Sequence, residues 1–354
     1  MDAIGSSTTT GTRAEAPAPD DASRREWGWV LRVLALVVAF ALVAVFRSRQ
    51  VDVPFRDPHG KLFSDKLLST TETLLVFVAV DIVVRWLRGR ARGATLWRTA
   101  RARWTPYRIA MIALALVSYQ VVYLSYRNLK SWDVFRTPRD AMLLRWDRWL
   151  FFDHSPAVLL HDLLGRDLAA RFLTDWYEAF STLVTLALVA ALAFTPTVRS
   201  AYVFVTSAMW AWIIGVGSYY LIPSLGPFHE APGEFAGLTH TSIQTTQATY
   251  VEQRAHLLAH PEVHGAFAQI SAFASLHCAL TMLVFLMARY YGLRVLSWAA
   301  AVFLAGTLVA TVYLGWHFAV DDIAGIAIAW AAVQLGKITV NGTWRSPTST
   351  RASI

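Results

Sequence analysis

Two histidines and an aspartate lie in sequence that is apolar enough for a membrane. His277 begins a long hydrophobic run, and His317 stands between two further runs, with Asp321 four residues after it. Ionisable side chains are costly inside a bilayer and normally mark a functional site there. A spacing of four residues places His317 and Asp321 on one helical face, where the carboxylate can hold one imidazole nitrogen and leave the other free. These three residues are the predicted catalytic groups.

The chemistry that suits two histidines and a carboxylate is in-line transfer of a phosphoryl group. Such a transfer needs a nucleophile, an acid for the leaving oxygen and positive charge around the phosphate. His317 is the predicted nucleophile, which Asp321 orients, and the intermediate would be a phosphohistidine. His277 is predicted to protonate the leaving group and then to deprotonate an acceptor hydroxyl or water, because the pKa of histidine lies near neutrality. No metal and no cofactor is predicted.

Four further residues are predicted to bind the substrate phosphate. Arg127 and Lys130 lie just past the end of the third apolar run, and Arg127 ranks first because a guanidinium binds phosphate in bidentate fashion. Arg254, in a later loop, and Ser275, two residues before His277, complete the set. The alternative for the cations is that they anchor the chain at the membrane interface.

Two other groups of ionisable residues are interpreted as structural. His256, His260 and His264 recur every four residues and could bind a metal if they lay on one helix. Pro261 disfavours a continuous helix there, so we interpret them as incidental residues of a solvated loop. Asp322 points away from the face that carries the preceding aspartate, and we expect it to cap a helix or to be solvated.

The elements that must position these residues are membrane-spanning helices. The chain has 354 residues, of which 55% are hydrophobic and 16% charged, a composition that excludes a disordered protein and indicates a polytopic membrane protein. Eight apolar runs approach the roughly 20 residues that a spanning helix needs. They are residues 27–46, 73–87, 108–126, 176–194, 201–222, 273–291, 295–316 and 318–336. The predicted fold class is therefore all-α, a membrane helix bundle with about eight transmembrane helices.

The runs divide the chain into four regions. Residues 1–22 are rich in Ser, Thr, Ala, Pro and Asp and are predicted to form a disordered tail. Residues 23–107 hold two transmembrane helices and an arginine-rich loop. Residues 108–338 form the predicted six-helix catalytic core, and residues 339–354 form a C-terminal tail.

The distribution of arginine predicts the orientation in the cell membrane. Eight arginines and no acidic residue occur from Arg85 to Arg108, which is the strongest cytoplasmic signal in the chain. Placing this loop inside puts both termini in the cytoplasm and the two long loops, 127–175 and 223–272, outside. The two site histidines then face the outer side of the membrane.

The first of these long loops contains two amphipathic segments. Residues 141–150 and 158–172 interleave tryptophan or leucine with charge, and we interpret both as helices lying in the membrane interface. They would form either a platform that admits a lipid sideways or ordinary interfacial packing.

The net charge of +8 does not indicate nucleic acid as a partner. The arginines flank apolar runs, and the sequence contains no basic domain with interleaved aromatic residues. The expected partners are membrane lipids, with a phospholipid or polyprenyl phosphate as substrate. The oligomeric state is left open by the sequence.

The histidine motifs resemble those of the type-2 phosphatidic acid phosphatase superfamily. Its third motif, S-R-x5-H-x3-D, is similar to Ala310–Asp321, and its second motif, P-S-G-H, is similar to Ala274–His277. The resemblance spans roughly residues 108–336. It implies a six-helix membrane core that acts on lipid phosphates, with the two histidines and the aspartate as catalytic residues.

Departures from these motifs resemble the inositol phosphorylceramide synthase branch, whose members are inositolphosphotransferases. Thr311 stands where the third motif has arginine, and Leu276 stands where the second motif has glycine. In the first motif, K-x6-R-P, Pro227 fits, whereas Tyr219 and Gly226 occupy the lysine and arginine places. The resemblance implies transfer of a phosphorylated headgroup between lipids.

Three functions remain open from the sequence. A headgroup phosphotransferase is favoured by the motif departures. A lipid phosphatase that acts on phosphatidate or a polyprenyl phosphate would differ only in using water as the acceptor. A non-enzymatic protein that binds lipid or relays protons is the third, although a relay needs ionisable residues across the whole bilayer and the site residues cluster at one face.

Overall fold

A computed structural model describes the chain over residues 19–89 and 93–343, with side chains described from Trp27 onward. Over these ranges the chain forms thirteen α-helices and no strand, which confirms the predicted all-α fold class. The helices are α1 Pro19–Val51, α2 Ser64–Gly89, α3 Leu96–Arg103, α4 Pro106–Trp132, α5 Asp140–Leu150, α6 Pro156–Leu164, α7 Leu168–Phe194, α8 Val198–Leu221, α9 Pro227–Glu230, α10 Ser242–Ala259, α11 Leu276–Tyr290, α12 Arg294–Tyr313 and α13 Ala319–Asn341.

Seven helices in the described ranges are long and apolar enough to cross a membrane, so the chain is a multi-pass membrane protein. The spans are Trp27–Val51, Pro58–Gly89, Pro106–Phe135, Leu168–Phe194, Val198–Leu221, Arg294–Tyr313 and Ala319–Asn341. The sixth predicted run, 273–291, forms the shorter α11, whose 15 residues reach about 22 Å at ~1.5 Å per residue. That length falls short of a bilayer core of about 30 Å. The residues that start α11, Ser275 and Leu276, are buried, so this helix begins inside the protein.

Most of both predicted tails lies outside the described residues. The parts that are not described are residues 1–18 and 344–354. The backbone is helical from Pro19, so residues 19–22 belong to α1, and α13 continues to Asn341, three residues past the expected end of the core.

The two long loops contain more helix than their composition suggests. The helix α5 agrees with the amphipathic segment expected at 141–150, but a single helix over 158–172 is wrong. Gly165 has a φ of 81°, a conformation that disfavours other residues, and it separates α6 from α7. In the later loop, Thr241 and Gln244 form a capping box that starts α10.

The helix α8 is the centre of the bundle and packs against α4, α11 and α13. Small residues allow the closest of these contacts. A Cβ atom on Gly336 of α13 would lie 2.1 Å from the Oγ of Ser207 on α8, so glycine is needed for the two helices to approach this closely. The helix α1 covers α4 and α13 from outside.

Arginines collect at the end of the bundle where α3 leads into α4. Asp81 on α2 accepts hydrogen bonds from the Nε atoms of Arg85 and Arg103, at 2.7 and 3.2 Å. Arg103 and Arg108 also donate to backbone carbonyls at the C-terminal end of α7. The last carbonyls of a helix receive no hydrogen bond from an N–H group of that helix, so the arginines satisfy them. Arg127 lies near the opposite end of α4, about 28 Å from Arg108 along the helix axis at ~1.5 Å per residue.

Candidate active site

A cavity of about 270 Å³ lies at the end of the bundle opposite the arginine-rich end. Its walls contain both predicted catalytic histidines and two of the predicted phosphate-binding cations. The lining side chains include His277, His317, Arg127, Lys130, Tyr177 and Trp316. Four predicted site residues from three separate parts of the chain therefore meet in one cavity.

The two histidines face each other across this cavity. His277 lies in the first turn of α11, and His317 lies in the connection between α12 and α13. Their ring centroids are 5.8 Å apart. A phosphorus atom about 3–3.5 Å from one ring nitrogen would then place its leaving oxygen close to the other ring. The geometry suits one nucleophile and one proton donor on either side of a phosphate.

Asp321 lies beside His317, but the two do not share a helical face as predicted, because His317 precedes the start of α13 by two residues. The Nδ1 atom of His317 is 3.5 Å from Oδ2 of Asp321, and both side chains are buried. That Oδ2 already accepts a hydrogen bond from the backbone N–H of Phe318 at 3.0 Å, and Nδ1 has no hydrogen-bond partner in the described chain. A small ring rotation would complete the Nδ1–carboxylate bond, and such bonds often tighten when substrate binds. Nε2 is then the nitrogen left for phosphate.

Burial affects the protonation of His317. Its side chain is only 7% exposed, and burial lowers its pKa to about 4. The imidazole is therefore neutral near pH 7. A nucleophilic histidine must be neutral, because its ring nitrogen supplies the electron pair.

The starts of α11 and α13 are held together by backbone contacts. The N–H of Ser275 donates to the carbonyl of Asp321 at 3.0 Å, and the Ser275 hydroxyl accepts from the N–H of Cys278. Gly325 permits this approach, since a Cβ there would lie 2.3 Å from the Ser275 carbonyl oxygen. Ser275 itself is fully buried and does not line the cavity. Its position assigns it to capping α11, which differs from the predicted contact with phosphate.

Aromatic rings fix the orientation of His277. Tyr177 stacks on its ring at 4.3 Å, and Phe180 lies at 4.2 Å, both from α7. Tyr177 is in turn nearly parallel to Trp316 at 5.9 Å. This wall restricts the rotation of His277 and forms one side of the cavity.

Arg127 and Lys130 lie one turn apart on α4, and neither forms an ion pair among the described residues, although the buried carboxylate of Asp133 interacts electrostatically with Lys130. Arg127 donates to the hydroxyl of Tyr123 at 3.1 Å and to the side-chain carbonyl of Gln269. The ammonium group of Lys130 lies 5.5 Å from the centre of the Tyr219 ring and donates no hydrogen bond to a described residue. Partly buried cations that form no ion pair are costly, so an anion in the cavity would stabilise both. Their contact with phosphate stays a prediction.

The structure does not bring Arg254 to the cavity. It lies on α10, and its guanidinium donates to the backbone carbonyl of Val134 at 3.4 Å. The neighbouring His256 and His260 have ring centroids 5.4 Å apart but are not joined by a third ligand. The helix α10 ends at Ala259, one residue before the cap at His260, and no group of three His, Cys, Asp or Glu side chains in the described part could hold a metal ion.

Asp322 differs from its expected role. It neither caps α13 nor meets solvent but is buried behind the site, where it accepts from Sγ of Cys278 at 2.9 Å and from the hydroxyl of Thr311 at 2.8 Å. Thr311 occupies the place of the third-motif arginine, and at this place its hydroxyl donates a hydrogen bond to the Asp322 carboxylate. The two adjacent aspartates were the only signal of this network in the sequence, and they did not reveal the partners.

Comparison with known proteins places the chain in a family. The model of the PAP2 superfamily matches residues 141–335, which is more than half of the chain and includes both histidine motifs. The helix α4, which carries Arg127 and Lys130, precedes the matched region. A search of curated proteins finds no match, and neither does a search of solved structures. The family match supports enzymatic activity of the lipid phosphatase or phosphotransferase type. The chain therefore belongs to the PAP2 superfamily.

Proposed function

We propose that this protein is a lipid phosphotransferase that moves a phosphorylated headgroup between membrane lipids through a phosphohistidine at His317. One observation carries the proposal. Two histidine rings lie 5.8 Å apart in a cavity that also contains two cations that form no ion pair among the described residues. That arrangement provides a nucleophile, a proton donor and positive charge around one phosphate.

The first step forms the intermediate. Nε2 of His317 attacks phosphorus while the bond from phosphorus to the leaving lipid oxygen breaks, and His277 donates a proton to that oxygen. Arg127 and Lys130 hold the non-bridging oxygens, where negative charge increases in the transition state. Asp321 stabilises the positive charge that develops on the imidazole.

The second step regenerates the enzyme. His277, now neutral, takes the proton from the acceptor hydroxyl, whose oxygen attacks phosphorus. The bond from phosphorus to Nε2 of His317 breaks, and the imidazole returns to its neutral form. If water replaces the lipid hydroxyl, the same groups catalyse hydrolysis.

Transfer is favoured over hydrolysis by the motif departures and by the cavity wall. Leu276 and Thr311, which stand in for motif glycine and arginine, resemble the inositol phosphorylceramide synthase branch. The cavity wall is rich in aromatic side chains, including Trp212, Tyr219 and Trp316, which would suit an acceptor with an apolar body. Analysis of the products distinguishes the two reactions.

The test is turnover by purified protein in detergent with phospholipid donors, polyprenyl phosphates and hydroxyl-bearing lipid acceptors. A new phospholipid that depends on His317 would support transfer, and release of free phosphate or headgroup phosphate alone would identify a phosphatase. His317→Ala should abolish either product. The matched control is His256→Ala, an exposed histidine on α10 that should leave turnover unchanged. Full activity in His317→Ala would exclude the proposed nucleophile.

We also propose that the site faces the outer side of the cell membrane and that both termini are cytoplasmic. Support comes from the arginine-rich end, which lies opposite the cavity and belongs inside by the positive-inside rule. The native Cys278 is buried, so introduced cysteines can be labelled selectively. An impermeant thiol reagent applied to intact cells should label Glu252→Cys and not Arg98→Cys, both of which are exposed positions. The opposite pattern would invert the orientation.

A further inference from the structure

The amphipathic helix α5 carries two buried aspartates that face the site region. Asp140 and Asp147 are seven residues apart, which places them on one face of the helix. We propose that α5 is a positioning element, in which Asp147 fixes the start of α13 beside His317 and Asp140 fixes the loop that packs against it. Its catalytic consequence rests on the proposed function of His317.

Asp147 binds the first turn of α13. Its Oδ2 accepts from the N–H of Ala319 at 2.8 Å, and its Oδ1 accepts from the N–H of Val320 at 3.0 Å. These amides have no acceptor within their own helix, and a carboxylate at a helix N-terminus is favourable. Because Asp321 accepts from Phe318, carboxylates hold three consecutive amides directly after the nucleophile.

Asp140 holds a second loop that contacts the first. Its carboxylate accepts from the hydroxyl of Ser224 at 2.7 Å and from the N–H groups of Leu225 and Gly226, each at 2.9 Å. Gly226 has a φ of 104°, and a Cβ there would lie 2.6 Å from the carbonyl oxygen of Trp316. The loop held by Asp140 therefore lies directly against the backbone that leads into His317.

Neither aspartate is explained by an ion pair. No cation lies within ion-pair distance of either carboxylate in the described part of the chain, and Glu234 is a negative neighbour of Asp147. Burial raises the pKa of Asp147 to about 6, and its two amide bonds act in the opposite direction. A buried carboxylate without a cation is costly, and here its stabilising contacts are the backbone amides of the site loops.

Hydrogen exchange tests the clamp without reference to activity. Asp147→Ala should accelerate exchange in the peptide that covers 318–320 by about 10-fold or more, because two amides lose a charged acceptor. The control is Thr197→Ala, which removes the side-chain cap on the amide of Ser200 at the arginine-rich end of the bundle and should change exchange only there. Unchanged exchange at 318–320 in Asp147→Ala would overturn the proposal, whether or not the protein transfers phosphate.

Single-turnover kinetics test the positioning role. With saturating enzyme, the rate constant does not depend on the fraction of inactive protein, so partial misfolding does not imitate the effect. Asp147→Ala should lower this constant by about 10–100-fold, because the nucleophile is displaced. The enzyme concentration for half-saturation should change little, because the proposed phosphate-binding residues Arg127 and Lys130 lie on α4, which Asp147 does not hold. Asp147→Asn keeps one acceptor oxygen and should recover part of the rate.

The controls separate this inference from the proposed function. Thr197→Ala should turn over at the wild-type rate. A wild-type rate in Asp147→Ala, or an equal loss in Thr197→Ala, would overturn the positioning role. Absence of turnover in the wild-type protein would instead refute the proposed function, while the exchange measurement still decides whether Asp147 holds α13.

Discussion

Replacement of Gly325 by alanine should move the start of α11, which carries His277, away from α13, which follows His317. Gly325 is the seventh residue of α13, at the point where this helix contacts the start of α11. A Cβ there would be 2.3 Å from the carbonyl oxygen of Ser275 and 3.3 Å from the N–H nitrogen of Ala279. Both are backbone atoms, so no side-chain rotation relieves the clash. Because Ser275 precedes His277 by two residues, any displacement is transmitted directly to that histidine.

The size of the effect follows from these distances. Ordinary contact begins at 3.4 Å, so α11 and α13 must move apart by about 1 Å at this point. Overpacking of this kind costs ~1–3 kcal/mol of stability. A misplacement of about 1 Å at a catalytic site can lower the rate about 100-fold. We therefore expect Gly325→Ala to remain folded with a lower Tm and to lose about 100-fold in the single-turnover rate constant.

The assay compares Gly325→Ala with Gly217→Ala under saturating enzyme, with Tm measured in the same detergent. Gly217 lies in α8, and nothing stands within 4 Å of a Cβ built on it. Alanine is favoured over glycine inside a helix by up to ~1 kcal/mol, so this control should keep its rate and its Tm should not fall. A wild-type rate constant in Gly325→Ala would refute the close approach of α11 and α13 as the determinant of the histidine geometry.

Three further outcomes are expected. Lys130→Met keeps the apolar stem on Tyr219 but removes the charge, so inhibition by inorganic phosphate should weaken by about 10–100-fold; unchanged inhibition would remove Lys130 from the phosphate site. Because burial lowers the pKa of His317 to about 4, the neutral nucleophile should persist as pH falls and be lost only as pH passes through about 4. The contradicting result would be a rate that falls with decreasing pH around pH 6.5 in the wild-type protein and also in His277→Gln, because the second histidine could then not account for it. A chelator should leave turnover unchanged, because no three ligand side chains converge in the described ranges; loss of activity that zinc or magnesium restores would indicate a metal site.

Local periodicity made the core of the site predictable. The spacing of four residues between His317 and Asp321 predicted their proximity. The reason differs in part, because His317 lies two residues before α13 begins and Asp321 lies in the first turn of that helix. The hydrophobic runs predicted the spanning helices for a similar reason, because length and composition determine whether a helix suits a bilayer. The contact between His277 and His317 was inferred from a hairpin, and the folded chain agrees with it.

Contacts between distant segments could not be predicted in this way. Arg254 is basic and follows a glycine- and proline-rich loop, but the packing of α10 directs it to a backbone carbonyl outside the cavity. Asp322 was expected at a helix cap because its partners, Cys278 and Thr311, lie 44 and 11 residues away in the chain. The sequence predicts only an interfacial helix for α5, and it does not predict that Asp140 and Asp147 bind backbone amides, because those amides belong to distant segments of the chain.

The most direct test of the central claim is to look for a phosphoryl group on His317. The wild-type protein would be mixed with radiolabelled lipid phosphate, quenched within one turnover at alkaline pH, where phosphohistidine is stable, and digested for mass spectrometry. We expect an acid-labile label on the peptide that contains His317, absent in His317→Ala and lost when an acceptor lipid is added. Turnover in which no label reaches His317, or turnover that persists in His317→Ala, would contradict the account.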